Sequence, residues 1–315
     1  MGENIRRKII LHGPSTLSVS LPSKWVKKNN LEKGDEINIS EKNSVLMISC
    51  DNMAEDRTRI VLDTKDKSES VIKKFLLSCY RKGIDEIELL FGSYECIDFL
   101  KNFINDMMVG FEIIKHTANN ITIRSISVPA INEFKNLKRR LFLSVIEYSE
   151  NMKIILEENT LDNSDQYDSL IGSISRISNL CYRILVKNND LDDRVHESMI
   201  VASLDRIGST LFDFLSEASH SVADLSNIKK RYVSTISLLR SVYETHYNYS
   251  LTTYSVLVEK HKKNSHEIMK DLFFAETDSV IWSRLYSLSE RIADLFDPIL
   301  ALNCNPIDTR SHADQ

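Results

Sequence analysis

Three carboxylates near the end of the chain have a spacing that suits the binding of a cation. Glu290, Asp294 and Asp297 are separated by four and then by three residues, so on a helix all three lie on one face. Carboxylates at this spacing repel one another unless a metal ion or a basic side chain offsets their charge. Hard oxygen ligands suit divalent or trivalent ions such as Mg²⁺, Mn²⁺, Ca²⁺ or iron. The spacing fits a metal site, and it equally fits a face that is solvated or paired with arginine.

A proline directly follows the last of these carboxylates. Pro298 lacks the amide that would donate to the carbonyl of Asp294 in a continuous helix. We therefore expect Pro298 either to kink the helix or to start a new turn with Asp297 as its N-cap.

A second group of charges, all basic, lies in the first 28 residues. These residues carry six basic side chains against Glu3 alone, a local net charge of +5, whereas the whole chain carries −5. Basic groups on a small domain supply salt-dependent contacts to DNA phosphates. A solvated surface explains the same charges, so the cluster alone leaves DNA binding open. The basic residues are Arg6, Arg7, Lys8, Lys24, Lys27 and Lys28.

Motifs of common enzyme classes do not occur in the sequence. It contains no HExxH, GxSxG, GxxxxGK[ST] or GxGxxG pattern. His261 and His266 lie among lysines and are interpreted as part of a solvated loop, although an anion or metal site fits them too. His246 falls within an apolar stripe and is interpreted as a core histidine that bonds to a neighbouring hydroxyl. We therefore expect no catalysis.

Composition indicates a globular protein with long helices. Hydrophobic residues make up 42% and charged residues 27%, which argues against a disordered or fibrous chain. Only 8 glycines and 5 prolines occur in 315 residues, a scarcity that favours long helices. The five cysteines form no CxxC pair, and no run of about 18 apolar residues occurs. We therefore expect a cytoplasmic protein without a membrane span.

The chain divides into three stretches that differ in their pattern of apolar, polar and turn-forming residues. Residues 1–52 alternate short strands with one short helix after Pro22. Residues 53–129 predict strand, helix, strand, helix and two further strands, a small α/β module that fits a spacer or a ligand-sensing role. Residues 130–303 carry apolar side chains every three or four positions, as helical bundles do, and one such stripe runs from Tyr232 to Val256.

The first stretch resembles the AbrB/SpoVT swapped-hairpin DNA-binding family. Over residues 8–50 the order is strand, Gly13 turn, strand, Leu-Pro, short helix, a Leu-x-x-Gly-Asp turn at Leu31 to Asp35, and two strands. The resemblance implies that residues 1–52 form a homodimer by interleaving their hairpins and that the dimer binds double-stranded DNA. It implies DNA contacts from Arg6, Lys8, Lys24, Lys27 and Lys28, with Ser15 and Thr16 at the hairpin tip as further contacts.

The last stretch resembles a second family. Glu290-Arg291-Ile292-Ala293-Asp294 is similar to the Glu-Arg-x-x-Asp signature of PhoU domains, helical regulators of phosphate uptake that repeat a three-helix bundle twice. An earlier counterpart begins at Asp205, where Ser209 replaces the second carboxylate of the signature. The resemblance implies metal ligation by Glu290 and Asp294, with Asp297 as a third ligand, and by Asp205 in the other copy.

Together the two resemblances suggest a prokaryotic phosphate uptake regulator. The predicted fold is multidomain and mainly α: a small swapped-hairpin β domain (1–52), a small α/β module (53–129), two PhoU-like three-helix bundles (130–303) and a tail (304–315). The implied function is DNA-binding regulation of phosphate uptake. The alternative is an adaptor that does not bind DNA. In this adaptor residues 1–52 serve only for dimerisation, and the helical residues 130–303 dock on a phosphate transporter or a sensor kinase.

Overall fold

The computed structural model describes the chain in segments that form two units. The described residues are 5–42, 45–50, 58–91, 97–117, 119–127, 131–158, 164–188, 193–219, 221, 225–275 and 278–304. Residues 1–57 form the first unit and residues 58–315 the second. The second unit therefore contains both the predicted α/β module and the predicted helical body.

The described residues of the first unit form two β-hairpins and one short helix. Its elements are β1 (Ile10–His12), β2 (Thr16–Ser18), α1 (Ser23–Lys28), β3 (Asn38–Lys42) and β4 (Val45–Ser49). β1 pairs antiparallel with β2, and β3 with β4, as separate two-stranded sheets. Gly13, at φ +79°, makes the first turn. In the turn after α1, Asp35 Oδ2 accepts a hydrogen bond from the amide of Glu32 at 2.7 Å, and Gly34 has φ +106°. The predicted order of elements is confirmed.

The second unit begins with a four-stranded sheet and two helices. The elements are β5 (Arg59–Asp63), α2 (Glu69–Arg81), β6 (Glu86–Leu90), α3 (Ile97–Met107), β7 (Phe111–His116) and β8 (Asn120–Ser125). The strand order is β5-β6-β8-β7, with β5 and β6 parallel and the other pairs antiparallel. Apolar residues of α2 and α3, including Leu76 and Ile104, form one core with Ile87 of β6 and Ile123 of β8. The predicted order of strands and helices is confirmed here as well.

Seven α-helices follow in the described part of the second unit and confirm the prediction of a mainly helical body. They are α4 (Phe134–Glu158), α5 (Ser164–Lys187), α6 (Arg194–Ser219), α7 (Ser226–Tyr247), α8 (Leu251–Phe273), α9 (Ser279–Ala293) and α10 (Phe296–Leu302). Helices α4, α5 and α6 pack against one another, and so do α7, α8 and α9. Contacts of α6 with α9 and of α4 with α7 join the two groups into one core. In the part of the chain that is described, no helix is long and apolar enough to cross a bilayer.

Two helix breaks differ from the apolar pattern of the sequence. The stripe from Tyr232 to Val256 is interrupted between α7 and α8, where Ser250 and Thr253 form a reciprocal capping box that starts α8. The second break follows α9: Pro298 cannot donate to the carbonyl of Asp294, so α9 ends at Ala293 and a separate helix begins at Phe296. Leu295, and not Asp297, is the N-cap of α10. Glu290 and Asp297 therefore lie on different helices.

Candidate nucleic-acid interface and carboxylate sites

The side chains predicted to contact DNA are all exposed in the first unit. On α1, Trp25 and Val26 are half-buried, whereas Lys24, Lys27 and Lys28 face solvent. The lysines of its last turn lie at the negative end of the helix dipole, a placement that favours basic residues. The remaining predicted contacts precede β1 or lie at the β1–β2 turn, and they are exposed too: Arg6, Lys8, Ser15 and Thr16. Each of the basic side chains among them is therefore open to contact with a phosphate.

The apolar residues of the first unit are exposed as well. Among its described side chains, Cys50 alone is buried. Soluble domains rarely leave so many neighbouring aliphatic side chains in contact with water unless a partner covers them. The exposed side chains are Ile5, Ile9, Ile10, Leu11, Leu17, Val19, Ile39, Val45, Leu46 and Met47. One copy of this unit therefore has almost no core of its own.

The predicted metal ligand Glu290 lies beside a histidine of another helix. Its Oε1 accepts a hydrogen bond from Ser265 Oγ at 2.8 Å and lies 3.3 Å from His261 Nε2. The His261 side chain is 14% exposed and packs edge-on against Phe296. The interpretation of His261 and His266 as a solvated loop is wrong, since both belong to α8. The packing of α8 on α9 makes this contact, and no local sequence signal marks it.

The counterpart Asp205 is paired with an arginine of the α/β module. The Asp205 side chain is 19% exposed, and its Oδ2 lies 3.3 Å from Arg81 Nη2. Arg81 also donates from Nε to Asn179 Oδ1 at 2.7 Å and lies over the ring of Tyr182. Burial raises the pKa of Asp205 above its ordinary value, and Arg81 opposes this shift. A basic side chain thus supplies the positive charge next to this carboxylate.

The other two predicted ligands are exposed. Asp294 is the C-cap of α9 and pairs with Arg291 at 3.2 Å, while Asp297 lies in the first turn of α10. Within the described residues, no group of three or more His, Cys, Asp or Glu side chains is arranged to hold a metal ion. The contacts that the described residues show around these carboxylates are ion pairs and hydrogen bonds. Metal binding by Asp205, Glu290, Asp294 and Asp297 therefore stays a prediction.

Asp205 and Glu290 nevertheless share one feature of their surroundings, a contact with a serine of the preceding helix. Asp205 lies on α6, the third helix of the first group, and accepts a hydrogen bond from Ser175 of the second helix at 3.5 Å. Glu290 lies on α9, the third helix of the second group, and accepts one from Ser265 of the second helix. Each third helix therefore presents a carboxylate to a serine of the preceding helix.

His246 packs against the core as the sequence interpretation predicts, but its hydrogen bonding differs from that interpretation. It lies near the end of α7 and stacks on Phe142, with ring centroids 5.4 Å apart. Its Nδ1 is buried and has no hydrogen-bond partner among the described residues, so the predicted bond to a hydroxyl is wrong. Burial, with a smaller contribution from Lys138, lowers the pKa of His246 to about 4. The ring is therefore neutral at physiological pH.

A buried ion pair, which the sequence did not predict, joins the α/β module to α5. The Arg183 side chain is fully buried, and its Nη2 lies 2.9 Å from Asp85 Oδ1. Its Nη1 donates to the backbone carbonyls of Tyr80 and Ile84 at 3.1 and 2.9 Å. Lys187 Nζ lies 2.6 Å from the same carboxylate. Burial raises the pKa of Asp85, but hydrogen bonds from Lys187 and Thr58 outweigh it, so the pKa lies below its ordinary value.

Comparison with known proteins finds a family match in the first unit. Residues 12–49 match the family described as antidote-toxin recognition MazE, bacterial antitoxin. The matched segment runs from the end of β1 to the end of β4, so it contains α1 and the second hairpin. No curated protein and no solved structure matches the chain.

Proposed function

We propose that this chain, whose residues 12–49 form a MazE/AbrB-like domain, is a dimeric DNA-binding regulator. Domains of this kind bind DNA and often dimerise. The observation that carries the proposal is that the matched unit combines an exposed basic surface with an exposed apolar one. The basic surface suits the DNA backbone, and the apolar surface suits a second copy of the same unit.

Dimerisation follows from the weakness of the single unit. A two-stranded hairpin without further packing is marginally stable in water at best. The unit has two such hairpins, and aliphatic residues of both, such as Leu17 and Leu46, are exposed. A second copy that covers these residues supplies the missing core, as the swapped hairpins of the AbrB/SpoVT family do.

DNA contact is assigned to the basic side chains on and around α1. Lys24, Lys27 and Lys28 extend from one short helix, and Arg6 and Lys8 precede β1. Contacts to phosphates position a protein on the duplex, whereas base edges supply sequence discrimination. We therefore assign these five residues to affinity and to its salt dependence, with Ser15 and Thr16 as weaker contacts at the hairpin tip.

We extend the proposal to the helical body, which we interpret as a PhoU-like regulatory domain that responds to phosphate status. The placement of Asp205 and Glu290, each on the third helix of its group, supports an internal repeat of three-helix bundles. If a hard metal ion is bound, Glu290 is the expected ligand, and the ion would neutralise carboxylates of this surface. In the first repeat, Arg81 already provides a positive charge beside Asp205.

The test of DNA binding is a charge-neutralised variant of the full chain. Arg6, Lys8, Lys24, Lys27 and Lys28 are changed to Gln, and affinity for a fragment selected from genomic DNA is measured by fluorescence anisotropy. We expect binding to be lost while light scattering still shows a dimer. The matched control removes five exposed charges from the second unit: Lys65, Lys67, Lys101, Lys262 and Lys263, each changed to Gln.

The two outcomes separate the proposed functions. Loss of DNA binding in the first variant, with the control unaffected, supports the DNA-binding regulator. Unchanged affinity in the first variant contradicts it and favours the adaptor, in which the first unit serves only as a dimerisation module. The search for partners would then turn to a phosphate transporter or a sensor kinase.

A further inference from the structure

Two adjoining cavities form a groove between α4 and α7. The first has a volume of about 200 Å³ and the second about 350 Å³, and both are lined by Lys153 and Val233. The first cavity is also lined by Leu156, Lys229, Lys230 and Tyr232. The second is also lined by Glu150, Ile154, Ile236, Ser237 and Arg240. The groove therefore has one end rich in lysine and one end with aliphatic walls.

The lysine end is strongly basic. Three lysine residues line one cavity, and no acidic side chain of the described residues lines it. Like charges brought together in this way favour the binding of an anion, which offsets their repulsion. A cavity of about 200 Å³ has room for several water molecules, each with a share of about 30 Å³ of liquid volume, and so for one or two phosphoryl groups.

The basic residues in this part of α7 differ in whether a carboxylate pairs with them. Arg231 follows Lys230 directly and pairs with Glu267 and with Asp271 of α8, the latter at 2.6 Å. Lys229 and Lys230 form no ion pair with a described residue and line the cavity instead. Lys229 and Lys230 therefore bring to this cavity positive charge that no described carboxylate pairs, whereas the adjacent Arg231 pairs with two carboxylates.

The second cavity suits an uncharged group. Ile154 is 50% exposed and Val233 is 38% exposed, so both present aliphatic surface to whatever enters the groove. Of the charged residues of this cavity, Glu150 and Arg240 form an ion pair with each other, and Lys153 is shared with the first cavity. An occupant of this end thus gains from apolar contact and needs no charge of its own.

We propose that this groove binds an organic phosphate, with its phosphoryl groups among Lys153, Lys229 and Lys230 and its uncharged body over Ile154 and Val233. Lysine binds phosphate as a mobile point charge, and the aliphatic wall accepts a planar or apolar group. The site lies in the second unit and does not depend on DNA binding by the first. DNA is a poorer fit, since a duplex spreads its contacts along a row of phosphates whereas these lysines meet at one small cavity.

The test measures binding to the full-length chain by isothermal titration calorimetry. The probes are ATP, which has a polyphosphate and a planar body, inorganic pyrophosphate, which has the phosphates alone, and adenosine, which has the body alone. We expect ATP to bind more tightly than pyrophosphate and adenosine not to bind measurably. Changing both Lys229 and Lys230 to Gln should weaken ATP binding at least about tenfold, as loss of charge-assisted hydrogen bonds predicts.

Two further variants make the test specific. K262Q/K263Q removes two exposed charges from α8 and should leave ATP affinity unchanged. I154S should weaken ATP binding and leave pyrophosphate binding unchanged, because it alters only the aliphatic end. Circular dichroism establishes that each variant is folded.

Three results would overturn the assignment. If wild-type protein binds neither ATP nor pyrophosphate, the groove is no phosphate site. If pyrophosphate binds as tightly as ATP, the site binds an inorganic phosphate, and the proposal that the groove holds an organic body is wrong. If K229Q/K230Q keeps its ATP affinity, these lysines do not hold the phosphoryl groups, and a simultaneous loss of affinity for duplex DNA would assign them to the DNA surface. The results with ATP and pyrophosphate do not depend on whether the first unit binds DNA.

Discussion

Arg183 of α5 and Asp85, which lies just before β6, form an ion pair with a distance of 2.9 Å and a fully buried guanidinium. The two residues are 98 positions apart in the chain. Aromatic rings of Tyr80 and Phe111 lie 5.1 and 4.6 Å from the guanidinium carbon. Arg183 thus fastens the α/β module to the first group of helices, and the module is no loosely tethered spacer.

The first prediction concerns this ion pair. Arg183→Met should lower the free energy of unfolding of the second unit by about 3–5 kcal/mol, because it leaves two backbone carbonyls and part of a buried carboxylate without their donor. Equilibrium unfolding in urea measures the change. Arg284→Met is the control: Arg284 pairs with Asp213 at an exposed site, and its loss should cost less than about 1 kcal/mol. Equal losses in the two variants would contradict the role of Arg183.

The second prediction concerns the pH dependence of stability. The pKa of His246 falls from 6.5 to about 4 on folding, so the unfolded chain binds more protons than the native chain between these values. Stability is therefore lost as pH falls from 7 to 5, by about 2 kcal/mol from this group. His246→Phe should remove that part of the dependence and keep the stacking on Phe142. The same pH slope in the variant and the wild type would refute the prediction.

The third prediction concerns metal content. Glu290→Gln combined with Asp294→Asn should reduce the amount of Mg, Mn, Ca or Fe found by elemental analysis of the purified protein, since hard cations need carboxylate oxygens. Asp213→Asn with Glu217→Gln removes two exposed carboxylates elsewhere and should leave metal content unchanged. Metal content that does not change in the first double variant would exclude the site.

The fourth prediction concerns the dimer. Leu17→Asp combined with Leu46→Asp places charges on the apolar surface of the first unit, so light scattering should show a monomer with weakened DNA binding. Val61→Asp, at an apolar position of the second unit that is 51% exposed, is the control and should stay dimeric. A dimer that survives in the first variant would show that the apolar surface of the first unit is not the interface.

Sequence patterns predicted the elements of this protein well because those patterns are local. The Gly13 turn, the Leu31-to-Asp35 turn and the apolar spacing of the helices each have a direct counterpart in the structure. Even the break before α8 has a local signal, since Ser250 and Thr253 have capping-box spacing. The apolar stripe from Tyr232 to Val256 continues across this capping box, so the stripe alone predicts one unbroken helix.

The contacts between distant residues could not be predicted in the same way. Arg183 lies within an apolar stripe of α5, and only the docking of the module gives it Asp85 as a partner. The contact of His261 with Glu290 depends likewise on the packing of α8 against α9. Charge pattern indicated which carboxylates to consider, but tertiary packing decides which basic group lies beside each of them.

The most direct test of the central claim is selection of genomic DNA fragments by the purified full-length protein, followed by salt titration of the best fragment. We predict enrichment of fragments upstream of phosphate-transport genes. We also predict that the logarithm of affinity falls with the logarithm of salt concentration, with a slope of about −0.9 for each phosphate contact. Absence of enrichment, or weak binding that does not depend on sequence, would contradict a DNA-binding phosphate regulator.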